Sequence, residues 1–247
     1  MHVAASGPTT APTVLLLHGG GVGGWMWRPL LDELGDDVHA LVPDLPGHDG
    51  SASESYLGHT ATIDALIRML DEHGARSRVT VVGFSLGAQL ATMLASAEPL
   101  RIAHAVIVSA QAEQLRFAGA TLALLRYMAP LARNARFARA QAAELRVPES
   151  LMTDYVRTSA TMSADDMVAS VGENLRFTVP ERWSRFPGRA DVVVGERERA
   201  LMRRSAAALH EALPSSRLTT FEGVGHAIPF ERPRELANLI RAGLPTP

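Results

Sequence analysis

The stretch that decides the fold is Val79-Thr80-Val81-Val82-Gly83-Phe84-Ser85-Leu86-Gly87. It begins as a β-branched run typical of a buried strand and turns abruptly at a G-x-S-x-G pattern. A helix-prone segment, Ala88 to Ala95, follows at once. A G-x-S-x-G turn between a strand and a helix is a nucleophile elbow, which strains the serine and exposes its hydroxyl. The context predicts that Ser85 is a catalytic nucleophile.

The residues beside Ser85 also have expected roles. Gly83 and Gly87 fit because any side chain there would meet the neighbouring strand or helix. The helix that begins at Leu86 points free backbone N–H groups at the space beside Ser85. Because negative charge would develop there during attack, we expect the Leu86 N–H to form part of an oxyanion hole.

The composition excludes several kinds of site. The 247 residues, 47% hydrophobic and 20% charged, suit one globular domain, and a net charge of −2 gives no sign of a nucleic-acid partner. The chain has no cysteine, and all 24 of its basic residues are arginine. Thiolate catalysis, cysteine-bound zinc, Schiff-base chemistry and a P-loop lysine are therefore excluded. We expect no cofactor and no metal.

The chain carries no evident targeting or membrane signal. Met1 to Pro12 lacks the pattern of a signal peptide, and the apolar run Thr121 to Ala132 is interrupted by Arg126. We therefore expect a cytoplasmic monomer or homodimer that acts on a small-molecule substrate, with no membrane partner.

Short β-rich runs alternate with amphipathic ones, which predicts an α/β fold with a mostly parallel central sheet flanked by helices. The predicted strands are Thr13–Leu17, Val38–Val42, Val79–Val82, Ala103–Val108, Ala190–Val194 and Leu218–Phe221. The predicted helices are Trp27–Leu34, Thr62–His73, Leu86–Ala97, Ala200–Leu213 and Pro233–Ala242. Gly35 and Gly74 stand where helix C-terminal caps are expected.

One region breaks this alternation. From about Gln111 to Arg189 the pattern is helical, with breaks at three prolines and no strand of its own. We interpret residues 111–189 as a helical cap inserted in a core formed by 1–110 and 190–247. Apolar residues recur there at helical spacing, at Phe117, Leu122, Leu125, Met128 and Leu131. They could simply add to the core, but a cap over the strand ends, where ligands bind in open α/β folds, is the favoured interpretation.

The cap would bring apolar side chains to the substrate. We expect the pocket to be lined by Trp25, Phe84, Leu125 and Met128. The cap arginines Arg126, Arg133, Arg136 and Arg139 either hold an acidic substrate or, as is commoner, are solvated.

A nucleophilic serine needs a base and an orienting acid. Of the nine histidines, His226 is the best base, since it follows the last predicted strand in a glycine-containing loop that can curl back toward Ser85. Glu198, in the turn after the preceding strand, is the candidate acid, although Glu196 and Glu198 could both be solvated charges. The order serine, acid, histidine is that of one known triad arrangement.

A glycine-rich loop follows the first of these strands, at His18-Gly19-Gly20-Gly21-Val22-Gly23-Gly24. Its glycines would let a backbone N–H point inward, which completes an oxyanion hole with the Leu86 N–H. A phosphate-binding loop is the alternative. It is weakly supported, because a Walker A motif needs a lysine and G-x-G-x-x-G needs a ribose-binding acid downstream.

Taken together, these segments resemble the α/β-hydrolase superfamily from Val14 to nearly the C-terminus. The matching segments are Leu16-Leu17-His18-Gly19-Gly20, Pro43-Asp44-Leu45-Pro46-Gly47-His48, Gly83 to Gly87, Val194-Gly195-Glu196-Arg197-Glu198, and Gly225-His226 with Glu231-Arg232-Pro233. The resemblance implies that Ser85 is the nucleophile, that His226 is the base, and that Gly20 and Leu86 supply the oxyanion N–H groups.

The chain departs from the family pattern at three places. Glu198 stands where the family usually has Asp, and Asp49 stands where a glycine often follows the Pro-Gly-His turn. The family also usually opens with two antiparallel strands, whereas Met1 to Pro12 has room for one, near His2–Ala5. We therefore expect a truncated sheet edge.

Three functions remain open, because a fold does not decide a reaction. The favoured one is a cofactor-free serine hydrolase that cleaves an ester, thioester or lactone of a mostly hydrophobic small molecule through an acyl-enzyme. The second is an acyltransferase, or a biosynthetic enzyme such as a cyclase, that uses the same triad. The third is a ligand receptor without turnover.

Overall fold

The computed structural model describes residues 1–114, 118–129 and 134–245. In these ranges a seven-stranded sheet has the order β1-β3-β2-β4-β5-β6-β7. Its strands are β1 (Val3–Ser6), β2 (Thr13–Leu17), β3 (His39–Pro43), β4 (Val79–Phe84), β5 (Ile102–Val108), β6 (Arg189–Gly195) and β7 (Arg217–Phe221). Strand β1 pairs antiparallel with β3, and all other neighbours are parallel. The predicted mostly parallel sheet is confirmed, with one antiparallel strand at its edge.

The helices of the core lie between these strands. They are α1 (Arg28–Leu34), α2 (His59–Glu72), α3 (Leu86–Ala97), α8 (Ala200–Ala212), α9 (Ile228–Glu231) and α10 (Pro233–Arg241). The short helix α9 is absent from the predicted helices. Helix α2 begins at His59 rather than Thr62, because Gly58, at φ 120°, makes the turn into it. Gly35 (φ 53°) and Gly74 (φ 69°) have the positive φ expected of helix-terminating glycines.

The sheet separates two apolar clusters, as the alternation of side chains along a strand requires. On β2, Leu15 and Leu17 belong to the cluster under α2, α3 and α8, whereas Val14 and Leu16 belong to the one under α1 and α10. All four side chains are fully buried. A rigid sheet covered on both faces thus carries the loops at its carboxyl edge.

A helical insertion separates β5 from β6. Its described helices are α4 (Ala118–Met128), α5 (Ala135–Glu144), α6 (Met152–Thr161) and α7 (Ala164–Arg176). The described residues between β5 and β6 contain no strand, as the sequence predicts. Phe117, Leu131 and Arg133, which the sequence places in the cap, lie outside the described residues. The division at residues 110/111 and 189/190 stays a prediction.

Across the three described ranges, no helix is both long enough and apolar enough to cross a membrane.

Candidate active site

The strand order places the site. The chain passes from β2 to β3 on one side and reaches β4 on the other, so the loops after β2 and β4 diverge and leave a crevice at the carboxyl edge. The glycine-rich loop Gly19–Gly24 follows β2, and Ser85 follows β4. The loops after β6 and β7, which carry Glu198 and His226, open at the same edge.

Ser85 has the backbone of a nucleophile elbow, with φ 53° and ψ −111°. Its N–H donates to the Val108 carbonyl at 2.9 Å, which ties the turn to β5. A Cβ on Gly83 would lie 2.1 Å from the Gly87 oxygen, and one on Gly87 would lie 2.1 Å from the Leu17 oxygen. Both obstacles are backbone atoms that cannot move aside. The two glycines are therefore required for the tight turn that strains Ser85.

The loop after β2 is held by groups on both sides. His18 is fully buried, and its Nε2 accepts from the Leu45 N–H at 2.9 Å, so the proton is on Nδ1, which donates to the Gly19 oxygen at 2.7 Å. Because a trans peptide points its C=O and N–H in opposite directions, this bond directs the Gly20 N–H away from His18. Farther along, the Gly24 N–H donates to Asp44 at 2.7 Å.

Gly20 and Leu86 lie together, as the predicted oxyanion hole requires. A Cβ placed on Gly20 would lie 3.8 Å from the Leu86 side chain. Leu86 is the first residue of α3, so the helix offers its N–H no partner. The loop at Gly20 and the first N–H of α3 thus lie side by side, and Gly20 shares a cavity lining with Ser85.

His226 lies between β7 and α9, with its ring packed on Phe84 at 4.9 Å between ring centroids. Its Nδ1 donates to Glu198 Oε2 at 2.9 Å. Because an ionised carboxylate only accepts, Nδ1 carries the proton and Nε2 keeps a lone pair. No hydrogen bond joins the Ser85 hydroxyl to this ring within the described ranges. Such bonds are often long before substrate binds and shorten in the complex.

Glu198 is buried beneath the site and accepts three hydrogen bonds. Besides His226, its donors are Ser109 Oγ at 2.5 Å and the Gly195 N–H at 3.2 Å, both to Oε1. Burial alone would raise the pKa of Glu198, but the bonds from His226, Ser109 and Gly195 and the charge of His226 outweigh it and lower that pKa. Glu198 therefore stays ionised beside His226. Glu196, in contrast, is exposed and accepts from the Gly223 N–H at 2.8 Å.

Sequence reasoning missed Ser109. It follows β5, and its backbone has a φ of 55°, which L-residues rarely adopt. A serine after a strand is common, so composition and spacing give no signal for it. Its position after the neighbouring parallel strand is the signal that could have found it.

A cavity of about 380 Å³ opens over these groups. Ser85, Gly20, Phe84 and His226 line it together with apolar side chains, including Met26 and Phe230. Phe84 thus lies where the sequence predicts.

The other predicted pocket residues lie elsewhere. Trp25 is buried and donates from Nε1 to Thr158 Oγ1 at 2.9 Å, and it is absent from the described lining of the Ser85 cavity. Leu125 and Met128 line a separate groove of about 220 Å³ with Phe137. The reason is that α4 packs on α7, which turns its apolar stripe away from Ser85.

A second histidine–carboxylate pair lies away from Ser85. His104 Nε2 and Asp191 Oδ2 are 2.8 Å apart, and both side chains are fully buried within β5 and β6. Asp191 also accepts from Arg189 at 2.8 Å. The pair lies toward the amino ends of these strands, opposite to the edge that carries Ser85, and links neighbouring strands.

Comparison with known proteins agrees with this architecture. The mostly parallel sheet, the helical insertion and the turn at Ser85 are those of an α/β-hydrolase fold. The family model described as "Alpha/beta hydrolase family" matches residues 14–239, and the chain belongs to that family. The family relation places the chain among esterase- and lipase-like hydrolases.

Individual similarities are distant in sequence and close in fold. The chain is 21% identical to a monoacylglycerol lipase of Xenopus laevis, over 97% of this chain and 77% of that one. An esterase from Exiguobacterium antarcticum superposes with a TM-score of 0.83 at 16% identity, covering 98% of this chain and 94% of that one. An enol-lactonase from Burkholderia xenovorans superposes with a TM-score of 0.81 at 17% identity, covering 98% and 95%.

Proposed function

We propose that the protein is a cofactor-free serine hydrolase that cleaves an ester, thioester or lactone of a mostly hydrophobic small molecule. One observation carries the proposal: a strained Ser85 and a His226 held by a buried, ionised Glu198 line one cavity. The names of the relatives, a monoacylglycerol lipase, an esterase and an enol-lactonase, support ester or lactone cleavage.

The reaction follows from the position of each group. Ser85 Oγ attacks the carbonyl carbon while its proton passes to His226 Nε2, and Glu198 stabilises the resulting imidazolium. The N–H groups of Gly20 and Leu86 hold the tetrahedral oxyanion. The carbonyl–oxygen bond to the leaving group, or carbonyl–sulfur bond in a thioester, breaks as His226 returns the proton to that group. Water, deprotonated by His226, then cleaves the acyl-enzyme and restores Ser85.

Removal of the nucleophile tests the proposal. The variant Ser85→Ala should lose several orders of magnitude in kcat/KM on a 4-nitrophenyl acyl ester, because triad members act as a unit. Wild-type protein should also react covalently with a fluorophosphonate probe at Ser85, as intact-mass and peptide spectra would show. Near-wild-type activity in Ser85→Ala would contradict the proposal. Absence of probe labelling in folded wild-type protein would favour a receptor.

The same assay identifies the acid. Glu198→Gln should lower kcat by about 10²-fold or more, because the amide cannot stabilise the imidazolium as a carboxylate does. Glu196→Gln is the matched control: its amide oxygen still accepts from Gly223, so activity should stay within about twofold of wild type. The opposite ranking of the two variants would move the assignment to Glu196.

A further inference from the structure

Two arginines that the proposed reaction does not use are among the residues that line the Ser85 cavity. Arg146, from the cap segment after α5, and Arg197, from the turn after β6, both line it. The other ionisable groups in the lining are His226 and Glu231. In ligand pockets a few polar groups among apolar ones fix the orientation of the ligand.

Neither guanidinium is engaged by a close acidic partner. Arg197 is exposed, and its side chain forms no ion pair within the described ranges. Arg146 is 71% exposed, and its Nε lies 3.9 Å from Glu231, which is too far for a hydrogen bond. By contrast, Arg157 contacts two acidic side chains, at 2.9 and 2.6 Å. The donors of Arg146 and Arg197 are thus available to a ligand.

The backbone conformation of Arg146 is a second indication that this residue serves the cavity. Its φ is 56°, just beyond the end of α5, where a glycine would terminate the helix without strain. An arginine at this position is therefore less favourable for folding than a glycine would be. What the arginine adds is a cationic residue in the cavity lining.

The charge balance of the cavity indicates the kind of ligand. Arg146 and Arg197 contribute two positive charges, and Glu231 contributes one negative charge beside Arg146. The Glu198 charge is enclosed by its own donors. A net single positive charge suits a monoanion better than a dianionic phosphate. An arginine fork binds a carboxylate through two parallel hydrogen bonds.

We propose that this cavity binds acyl substrates that carry a carboxylate a few bonds from the scissile carbonyl; this inference rests on the hydrolase function proposed above. Arg197 is the main anchor, and Arg146 is a second anchor shared with Glu231. The apolar lining then holds the carbon chain between the two ends of the substrate.

The test compares 4-nitrophenyl hydrogen glutarate, which has a free carboxylate, with the neutral methyl ester of the same molecule. Wild-type protein should favour the acid by about tenfold or more in kcat/KM, since charge-assisted bidentate pairs are the strong ones. Arg197→Gln should remove most of that preference and Arg146→Gln a smaller part. Glu231→Gln should increase it. Arg139→Gln, an exposed cap arginine outside the cavity, is the matched control and should leave the ratio unchanged.

A binding measurement separates this inference from the hydrolase proposal. In Ser85→Ala protein, which cannot cleave the ester, calorimetry should show monomethyl glutarate binding about tenfold more tightly than in the double variant with Arg197→Gln. Cleavage of both esters at equal kcat/KM by the wild type would overturn the inference and leave the hydrolase intact. Equal binding of monomethyl glutarate to the two proteins would overturn it too, whereas failure to cleave either ester counts against the hydrolase.

Discussion

At the scale of single residues, Ser109 shows how one backbone angle serves the site. Its N–H still donates to the Val193 carbonyl at 2.8 Å, so it continues the pairing of β5 with β6. Its φ of 55° interrupts the extended backbone of the strand and brings the hydroxyl to Glu198. Strain at this position therefore supports the acidity of a buried carboxylate.

Removing this hydroxyl should raise the pKa of Glu198, because Ser109 helps to hold the ionised form. We expect Ser109→Ala and Ser109→Gly to lower kcat/KM about tenfold, in keeping with about 1.5–3 kcal/mol for a hydrogen bond to a charged group. A ¹³C titration of the Glu198 carboxyl, assigned with Glu198→Gln, measures the shift.

The two variants separate the hydroxyl from the strain. Glycine adopts the positive φ without strain, so the free energy of unfolding of Ser109→Gly should be about 1 kcal/mol higher than that of Ser109→Ala. Both variants should lose the same activity. An unchanged Glu198 pKa, with activity within twofold of wild type, would mean that Ser109 has no part in orienting Glu198.

At the scale of elements, helix α6 of the cap is attached to the core by polar contacts. Arg157 donates to both oxygens of Asp49, at 3.1 and 2.9 Å, and Arg28 pairs with Asp154 at 2.5 Å. Asp49 has a φ of 38°, which explains why a glycine often follows the Pro-Gly-His turn. In this chain an aspartate tolerates the strain and binds the cap instead.

Weakening this attachment should loosen α6 without unfolding the core. Asp49→Asn keeps a side chain that tolerates positive φ but loses the charge, so amide hydrogen exchange in α6 should speed up about two- to fivefold. Global stability should change by less than about 1 kcal/mol, since Arg157 is half exposed. Asp165→Asn, which breaks the well-exposed pair with Arg126, is the control. Equal exchange in wild type and Asp49→Asn would show that the ion pair between Arg157 and Asp49 does not help to hold α6.

The elements also show what could be predicted from the sequence. The strands and the core helices other than α9 follow from periodicity. Ser85, Glu198 and His226 come together because the carboxyl ends of parallel strands share one edge. The orientation of α4 does not follow, because an apolar stripe such as that of Leu125 and Met128 predicts an apolar helix face but does not tell which element or cavity that face meets. Ser109 and Arg146 were not predicted from the sequence, because nothing in the composition or spacing indicates a positive φ at a residue other than glycine.

At the scale of the whole molecule, buried neutral histidines connect the loops beneath the site. Burial lowers the pKa of His18 to about 4 and that of His48 to about 3. Their rings lie 5.1 Å apart between centroids. His48 Nε2 has no hydrogen-bond partner among the described residues, so protonation there would not be compensated.

These histidines should make the fold acid-sensitive. Their folded pKa values lie below the ordinary 6.5, so between pH 6.5 and about 4 the unfolded chain binds protons that the folded chain does not. Stability is fully present above pH 6.5 and should fall as the pH drops, by up to about 1.4 kcal/mol per pH unit for each histidine. Urea unfolding at a series of pH values measures the slope. His73→Gln, at an exposed histidine, should leave this slope unchanged. A free energy of unfolding that stays constant from pH 6.5 to 4.5 would contradict the expectation.

The direct pairing of β5 with β6 has one further consequence. The helical insertion leaves the sheet after Val108 and returns at Arg189, and these strands are in register from His104 opposite Arg189 to Val108 opposite Val193. Both ends of the excursion are thus fixed by the ladder, so its length adds little closure entropy. The insertion can therefore change in length or sequence without disturbing the pairing of β5 with β6, and with it the turns that bring Ser109 and Glu198 together.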